Sequence, residues 1–439
     1  MKEENIHGIH RFLFHARRPL LGAAPPNTKV ARVSLDPKRR AQTILGFGGA
    51  FTESTAYLFS LLPHETQEKF LQDYFDCETG LGYTMGRVSI HSNDFSLASY
   101  VYTKGEDTQA ETFSLQHDEQ WLIPLLQRAK ARSRQLQLLA SPWSPPAWMK
   151  TNGCMLRGGR LRSECRAAWA CYIDRYLTEM ERRGLPIRFL TVQNEPEALQ
   201  TWESCLYTPQ EEVELIADFI GPMLRRHHPQ VRLLGWDHNR DGLEAWADAL
   251  SDAPSAPYIW GMAYHWYVSD DHEAVARVRR AHSELHLLFS EGCLEGGPQP
   301  DSWEPARKYA RNYLHDLNNG CEGFLDWNLL LDCVGGPNHL GNFCHAPILA
   351  DTVSGTIKKN SAYYAIGHFS RVIRAGAVRI GADSDEVVAT AVQNPDGSRA
   401  CVLLNDASTP CGVQIVCGEV STRVIWMEPY SLASCVFTV

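Results

Sequence analysis

The sequence lacks most of the signals that would mark a metal-binding, nucleotide-binding or membrane protein. Its 13 cysteines include no C-x-x-C pair, and no His or Cys falls at zinc-finger spacing, which speaks against a redox dithiol or a structural zinc site. Because 13 is odd, at least one thiol has no partner within the chain, and a reduced protein in a reducing compartment is the simplest account. There is no excess of positive charge: Lys and Arg total 42 against 51 Asp and Glu, a formal net charge of −9. Nucleic acid is therefore not an expected partner, since phosphate binding needs a basic surface. No apolar run approaches the roughly 20 residues of a membrane span. The opening stretch MKEENIHGIHRFLFHARRPLL carries acids at once and interrupts its short apolar run with His and Arg, unlike a secretory signal. No N-x-[ST] acceptor occurs. The glycines of GFGGAF (Gly46–Phe51) do not have G-x-G-x-x-G spacing, and no acid is placed for a ribose. A cytoplasmic protein is expected, with no role for nucleic acid or membrane.

What is present is a long chain of ordinary globular balance. Its 439 residues exceed one compact core, so a large domain with a smaller companion is expected. Eight short apolar runs, each leading into a turn, alternate with helix-like stretches. They are Gly46–Thr52, Tyr83–Ile90, Leu136–Ser141, Ile187–Val192, Val231–Trp236, Ile259–Tyr264, Leu285–Ser290 and Gly323–Leu329. Segments with 3.6-residue apolar spacing, such as Glu119–Arg132, Glu164–Arg183 and Pro209–His227, lie between them. Thr208 is placed to cap the last of these, with Glu211 and Glu212 in its first turn. His227-His228, after two arginines and before Pro229, reads as the exposed end of that helix. Runs buried on both faces and separated by helices form parallel sheets, and eight such units over roughly 300 residues predict a closed (β/α)8 barrel.

After about residue 370 the pattern changes to period two. Val387–Val392, Ala400–Leu404, Gly412–Val416, Arg423–Trp426 and Ser434–Val439 predict a small antiparallel β-sandwich, with Asn394-Pro395-Asp396-Gly397 as a hairpin turn. The expected organisation is an α/β barrel over residues 41–370, a sandwich over 371–439, and an N-terminal segment, 1–40, pairing with the sandwich.

In such a barrel, catalytic groups stand where strands end on the C-terminal face. Two carboxylates do so here: Glu195 closes FLTVQNEP on the fourth strand, and Glu291 closes LHLLFSEG on the seventh. Two carboxyl groups facing each other across a mouth are what glycoside hydrolysis requires, and retention of anomeric configuration needs one as nucleophile and one as acid/base. Glu197 is the rival for the acid role, although Pro196 between the two acids turns it elsewhere.

The chain resembles glycoside hydrolase family 30, the family of lysosomal glucocerebrosidase and its bacterial relatives. The stretches that carry the resemblance are GFGGAFTES, GYTMGRVSIHSNDFS, LLASPWSPPAWMKTNG, TVQNEP, AYHWY, LFSEGC, DWNLLL and GGPNHLGNF, in family order from about residue 44 to 345, with YYAIGHFSR beyond. The resemblance implies Glu195 as acid/base and Glu291 as nucleophile, with Asn194 bonding the sugar 2-hydroxyl. It implies Asp94 and Trp143 on the outer hydroxyls of the terminal sugar, Trp327 along its pocket, and Tyr267 and Asn342 near the nucleophile and rim; His265, in the strand-end run HWY with Tyr267, is read in this context as part of the site. Arg87 would supply fixed positive charge beneath the carboxylates. These types make sense physically: a carboxylate such as Asp94 accepts two hydroxyls, and an Arg beside a carboxylate favours its ionised form. Cys293, two residues past Glu291, has no task in acid–acid chemistry and reads as a wall thiol.

Two departures concern the leaving group. Gln193 stands where the human-like pattern has an acid, and the loop EALQTWESCLY (Glu197–Tyr207) is the chain's own, with Trp202 and Glu203 placed to touch the aglycone. A retaining, exo-acting β-glycosidase on a glucose-type terminal sugar is expected, acting on a small glycoside or oligosaccharide with neither metal nor cofactor. The alternatives within the family are a β-1,6-glucanase, a β-xylosidase or an enzyme for a 6-deoxy sugar. A carbohydrate-binding relative without activity is the alternative outside it.

Overall fold

A computed structural model describes Lys2–Ile6, Ile9–Leu13 and residues 29–437. The first strands, β1 (Lys2–Ile6), β2 (Ile9–Leu13) and β3 (Val30–Thr43), belong to a sheet completed only at the far end of the chain. The barrel follows, as β4 (Gly46–Phe51), β5 (Met85–Ile90), β6 (Gln137–Pro142), β7 (Ile187–Thr191), β8 (Arg232–Asn239), β9 (Ile259–His265), β10 (His286–Glu291) and β11 (Gly323–Asp326). Neighbours pair in parallel, and β11 returns to β4, which closes the barrel. Each strand corresponds to one of the eight apolar runs.

Helices fill the crossovers. After β4 come α1 (Glu53–Leu61) and α2 (His64–Phe75), after β5 α3 (Leu122–Arg132), and after β6 α4 (Arg166–Arg182). After β7 come α5 (Pro209–Leu215) and α6 (Gly221–His227), then α7 (Leu243–Ser251), α8 (Glu273–Ala281) and α9 (Glu304–Asn319) after β8, β9 and β10. The Thr208 hydroxyl accepts the Glu211 N–H, and Glu211 returns a bond to the Thr208 backbone, a complete capping box. The single helix expected over Pro209–His227 is interrupted by a π turn at Ile216–Ile220, just where Pro222 brings no N–H to the ladder. His228 is not exposed as expected: it is buried and lies 2.9 Å from Asp174.

The barrel interior is layered by the period-two geometry of its strands. Met85, Leu139, Phe189, Leu234, Ala263, Leu288 and Leu325, one from each of seven strands, form an apolar layer. The eighth strand, β4, contributes Gly48, where a Cβ would fall 2.0 Å from the Met85 carbonyl oxygen. Two residues further along, the inward positions turn polar: Arg87, Ser141, Thr191, His265 and Ser290, all buried.

Beyond the barrel, β12 (Leu330–Asp332), β13 (Ile348–Asp351) and β14 (Thr356–Lys359) make a small sheet, and α10 (Ser361–Ser370) leads to the sandwich. Its strands are β15 (Val378–Asp383), β16 (Val388–Gln393), β17 (Arg399–Asn405), β18 (Cys411–Cys417), β19 (Val420–Ser421), β20 (Ile425–Met427) and β21 (Ser431–Phe437). The last two residues of the expected strand Ser434–Val439 lie outside the described residues. β15 was not expected from the sequence. It runs antiparallel to β3, whose other edge pairs with β18 in parallel, so the sheet is not wholly antiparallel. No hairpin joins β3 to either neighbour, so no turn dictates their relative direction. Alternate residues Ala31, Val33 and Leu35 of β3 enter the sandwich core.

Gly48→Ala is expected to destabilise the protein by about 3 kcal/mol, because the new methyl meets backbone rather than a yielding side chain; urea denaturation of the variant checks this.

Candidate active site

One carboxylate organises the polar layer. In β8 the register shifts between Trp236 and His238, and both Trp236 and Asp237 have positive φ, 70° and 60°. This bulge turns Asp237 inward where simple alternation from Leu234 would have placed Trp236. Asp237 Oδ2 then accepts from Arg87 Nη2 at 2.8 Å, Ser141 Oγ at 2.9 Å and Thr191 Oγ1 at 2.7 Å. Its Oδ1 accepts from Ser290 Oγ at 2.6 Å and faces His265 Nε2 at 3.1 Å.

Arg87 extends from this group toward the mouth of the barrel. It donates to Asn194 Oδ1 at 2.8 Å and to Glu291 Oε2, and its guanidinium lies 4.8 Å from the Trp143 ring centroid and 5.6 Å from that of Trp327. Glu291 takes a second hydrogen bond, from the Tyr267 hydroxyl at 2.8 Å. Glu195 has a left-handed backbone, φ 48°, and its N–H bonds the Asp237 carbonyl at 3.0 Å. Such a conformation is strained for a residue with a side chain and persists where its surroundings fix it. Glu195 Oε1 faces His265 Nδ1 at 3.2 Å and His238 Nδ1 at 3.6 Å, while Oε2 accepts from Gln200 Nε2 at 3.1 Å.

Above these groups opens a cavity of about 370 Å³, lined by Glu195, Glu291, Asp94, Trp143, Asn194 and Trp327 among others. Trp143 and Trp327 stack with centroids 5.4 Å apart. Asp94 Oδ2 receives the amides of Asn342 at 3.0 Å and Asn338 at 3.3 Å. The lining passes from buried Asp94, Trp143 and Trp327 to Leu199 and Val268, which are 70% and 69% exposed. The cavity therefore has a deep polar and aromatic end and an apolar mouth.

Burial and charge act in opposition here. Burial would raise the Asp237 carboxyl, but the Arg87 charge and the His265 bond outweigh it and hold it below the usual carboxylate range. For His265 burial is again outweighed, by the Glu291 charge and the bonds to Asp237 and Glu195, and its titration is pushed up to about 9. Glu195 is lowered despite its burial by the two imidazoles beside it, His238 and His265. Glu291 is raised, because burial and the Glu195 charge exceed the pull of His265, Arg87 and the Tyr267 hydroxyl. Burial lifts Asp94 to about 8 against its two amide donors.

His265 meets a carboxylate at each ring nitrogen, so one proton lies along the bond from its Nδ1 to Glu195. Imidazolium with carboxylate, and neutral imidazole with carboxylic acid, are the same protonation level written two ways.

The structure brings Glu195, Glu291, Asp94, Trp143, Asn194, Trp202, Tyr267, Trp327 and Asn342 to one cavity. Arg87 and His265 are not among its lining residues; they stand behind the carboxylates, Arg87 beneath Glu291 and His265 beneath Glu195. Glu203, expected at the leaving group, is 0% exposed and turned away from the cavity. Glu197 accepts the Trp246 indole N–H at 3.0 Å, so it is occupied elsewhere. Asp237, His238 and Gln200 were missed from the sequence. Asp237 follows directly on an apolar run and carried a readable signal. Gln200 lies in a loop without periodicity and carried none.

Glu195, His238 and His265 are also the one group of His, Cys, Asp or Glu among the described residues whose ligand atoms lie within 4.8 Å of one another. His265 is held between two carboxylates. Asn239, whose Oδ1 accepts the Tyr267 N–H at 2.8 Å, directs its amide nitrogen to His238 Nδ1 at 3.2 Å. Hydrogen bonds thus account for the grouping.

A closed parallel barrel with two buried carboxylates at the ends of its fourth and seventh strands, in a cavity walled by tryptophan, is the architecture of a carbohydrate hydrolase. Residues 44–373 match the glycosyl hydrolase family 30 TIM-barrel domain, and residues 376–435 match the family 30 β-sandwich domain. Lysosomal acid glucosylceramidase of Mus musculus is 34% identical over 403 residues, covering 86% of this chain and 77% of that protein. Endo-1,6-beta-D-glucanase of Neurospora crassa is 29% identical over 435 residues, covering 93% and 88% respectively. The crystal structure of SrfJ from Salmonella typhimurium matches with a TM-score of 0.89 at 35% identity, covering 96% of this chain and 94% of that one. The chain belongs to glycoside hydrolase family 30, and it is a glycoside hydrolase.

Asp237→Asn removes one partner of a buried ion pair and is expected to cost about 3–5 kcal/mol of stability in urea denaturation. The same change should lower the titration of His265, observable by NMR of the imidazole, since one of the carboxylates that favour its charged form is gone.

Proposed function

We propose that this hydrolase is a retaining, exo-acting β-glycosidase that removes a terminal glucose-type sugar, with Glu291 as nucleophile and Glu195 as acid/base. The observation that carries the reading is the contrast between two buried carboxylates facing one cavity. Glu291 is held from behind by a permanent cation and a hydroxyl, while Glu195 is backed by an imidazole that supplies a mobile proton.

In the first step a Glu291 oxygen attacks the anomeric carbon as the glycosidic bond breaks. Glu195 gives its proton to the departing oxygen, and that proton is drawn from the level it shares with His265. Arg87 and Tyr267 orient the attacking carboxylate. Loss of the proton leaves Glu195 a carboxylate beside neutral His265, ready to take a proton from water in the second step. Water then adds to the anomeric carbon and releases Glu291, and the proton returns to the Glu195–His265 pair.

Exo action is supported by a cavity that ends on Asp94, Trp143 and Trp327, where Asp94 and its two asparagines would meet the outer hydroxyls of a terminal residue. The apolar mouth at Leu199 and Val268 supports a leaving group with an apolar face. The resemblance to the Neurospora endo-1,6-glucanase favours a second reading, cleavage within a β-1,6-glucan. A panel of aryl β-glycosides set beside β-1,6-linked glucan separates the two: release of single sugars from chain ends supports the first, and internal chain scission overturns it.

NMR of the first-formed product should show the β anomer; an α product would end the retaining assignment. Glu291→Gln should abolish turnover of every substrate, activated aryl glycosides included. Glu195→Ala should spare the first step for good leaving groups, with azide yielding a β-glycosyl azide. Activity needs the shared proton, so it is retained below and lost above the His265 titration near about pH 9. In His265→Gln the alkaline limb of the kcat/KM profile should move to lower pH, because Glu195 then holds the proton alone.

A further inference from the structure

The loop after the acid/base and the loop that holds Asp94 meet at two atoms whose hydrogen-bonding capacity is unmet. Glu203 is fully buried; its Oε1 accepts the Ser99 hydroxyl at 2.7 Å, and its Oε2 has no hydrogen-bond partner. His339 Nε2 likewise has none, and these two atoms lie 3.5 Å apart. The other ring nitrogen fixes the protonation. His339 Nδ1 is 3.1 Å from both the Asp94 and the Ser96 carbonyl oxygens, which only accept, so Nδ1 carries a hydrogen. A neutral His339 would then turn a lone pair at Nε2 toward a carboxylate, two buried acceptors face to face. A single proton between them satisfies both.

We propose that Glu203 and His339 share a proton that clasps these two loops together, making both of them positioning residues for the glycone end of the cavity. The inference rests on the reading of Asp94 as a sugar-binding carboxylate. His339 is flanked by Asn338 and lies three residues from Asn342, the two amides that hold Asp94 Oδ2. Glu203 adjoins Trp202, which lines the cavity. The clasp thus fixes the aromatic wall from one side and the Asp94 cradle from the other. The charged groups that face it are Asp94 itself, with Glu291 beyond, and the Lys150 ammonium, which bonds the Ser204 carbonyl beside Glu203.

Three variants test this. E203Q keeps a donor toward neutral His339 and an acceptor for Ser99 without a titratable proton, whereas E203A removes both. With an aryl β-glycoside at about pH 6, E203A should raise KM by about tenfold with kcat changed by less than about twofold, and E203Q should restore KM. The double variant E203A/H339A should have the KM of E203A alone, because either change opens the same clasp. Equal KM values for E203A and E203Q, or KM effects of E203A and H339A that multiply in the double variant, overturn the proposal. If E203A does not fold, H339A decides: a wild-type KM in H339A overturns the proposal. Calorimetric affinity for an iminosugar mimic of the glycone reads the same differences between variants without turnover, so a wrong reaction assignment would show as absent hydrolysis with the affinity differences intact.

Discussion

The Arg87–Asp237 pair removes two full charges from water at the centre of the barrel, and such a pair persists only when every remaining donor and acceptor around it is satisfied. Asp237 meets this condition by reaching five other strands. Arg87 comes from β5, Ser141 from β6, Thr191 from β7, His265 from β9 and Ser290 from β10. One side chain thus fixes the relative height of six strands at the level where the apolar layer gives way to the cavity. The catalytic candidates inherit their positions from it: Glu291 through Arg87, Glu195 through His265, and Asn194 through the second Arg87 bond. A small slip of any one of these strands would take a partner from a buried charge, so the geometry of the mouth is as rigid as that pair.

The same arrangement explains why the two glutamates differ although both are buried. Glu291 faces a guanidinium that keeps its proton at every accessible pH. Glu195 faces an imidazole, which can give its proton up. A permanent positive charge suits a group that must attack, and a transferable one suits a group that must first donate and then accept. Under the proposed roles, the difference lies less in the carboxylates than in what stands behind them.

Much of this was legible in the sequence because the strand ends are marked by abrupt changes of character. The eight runs, the capping box at Thr208, and Glu195 and Glu291 at run ends are all local signals. The supporting residues sit one layer deeper, and there the code is weaker. Ser141, Thr191 and Ser290 resemble ordinary strand residues until the apolar layer two positions earlier is known. Asp237 points inward only because of a bulge, which depends on neighbouring strands rather than on its own segment. Glu203 was read as a contact for the leaving group because an acid in a polar loop is usually exposed; burial beside His339 and Ser99 is a tertiary fact. β15 went unread because Gly381 and two polar residues dilute its alternation.

The long strand β3 has a consequence for how the molecule comes into being. It is synthesised before any of the barrel, yet its partners are β15 and β18, separated from it by more than three hundred residues. During synthesis neither of its native partners exists until the whole barrel has been made. The apolar face of Ala31, Val33 and Leu35 must therefore wait in an unfinished state while the barrel assembles beside it. Closing so large a loop is slow, and an unpaired edge held open for that time is a site for mispairing with another nascent chain.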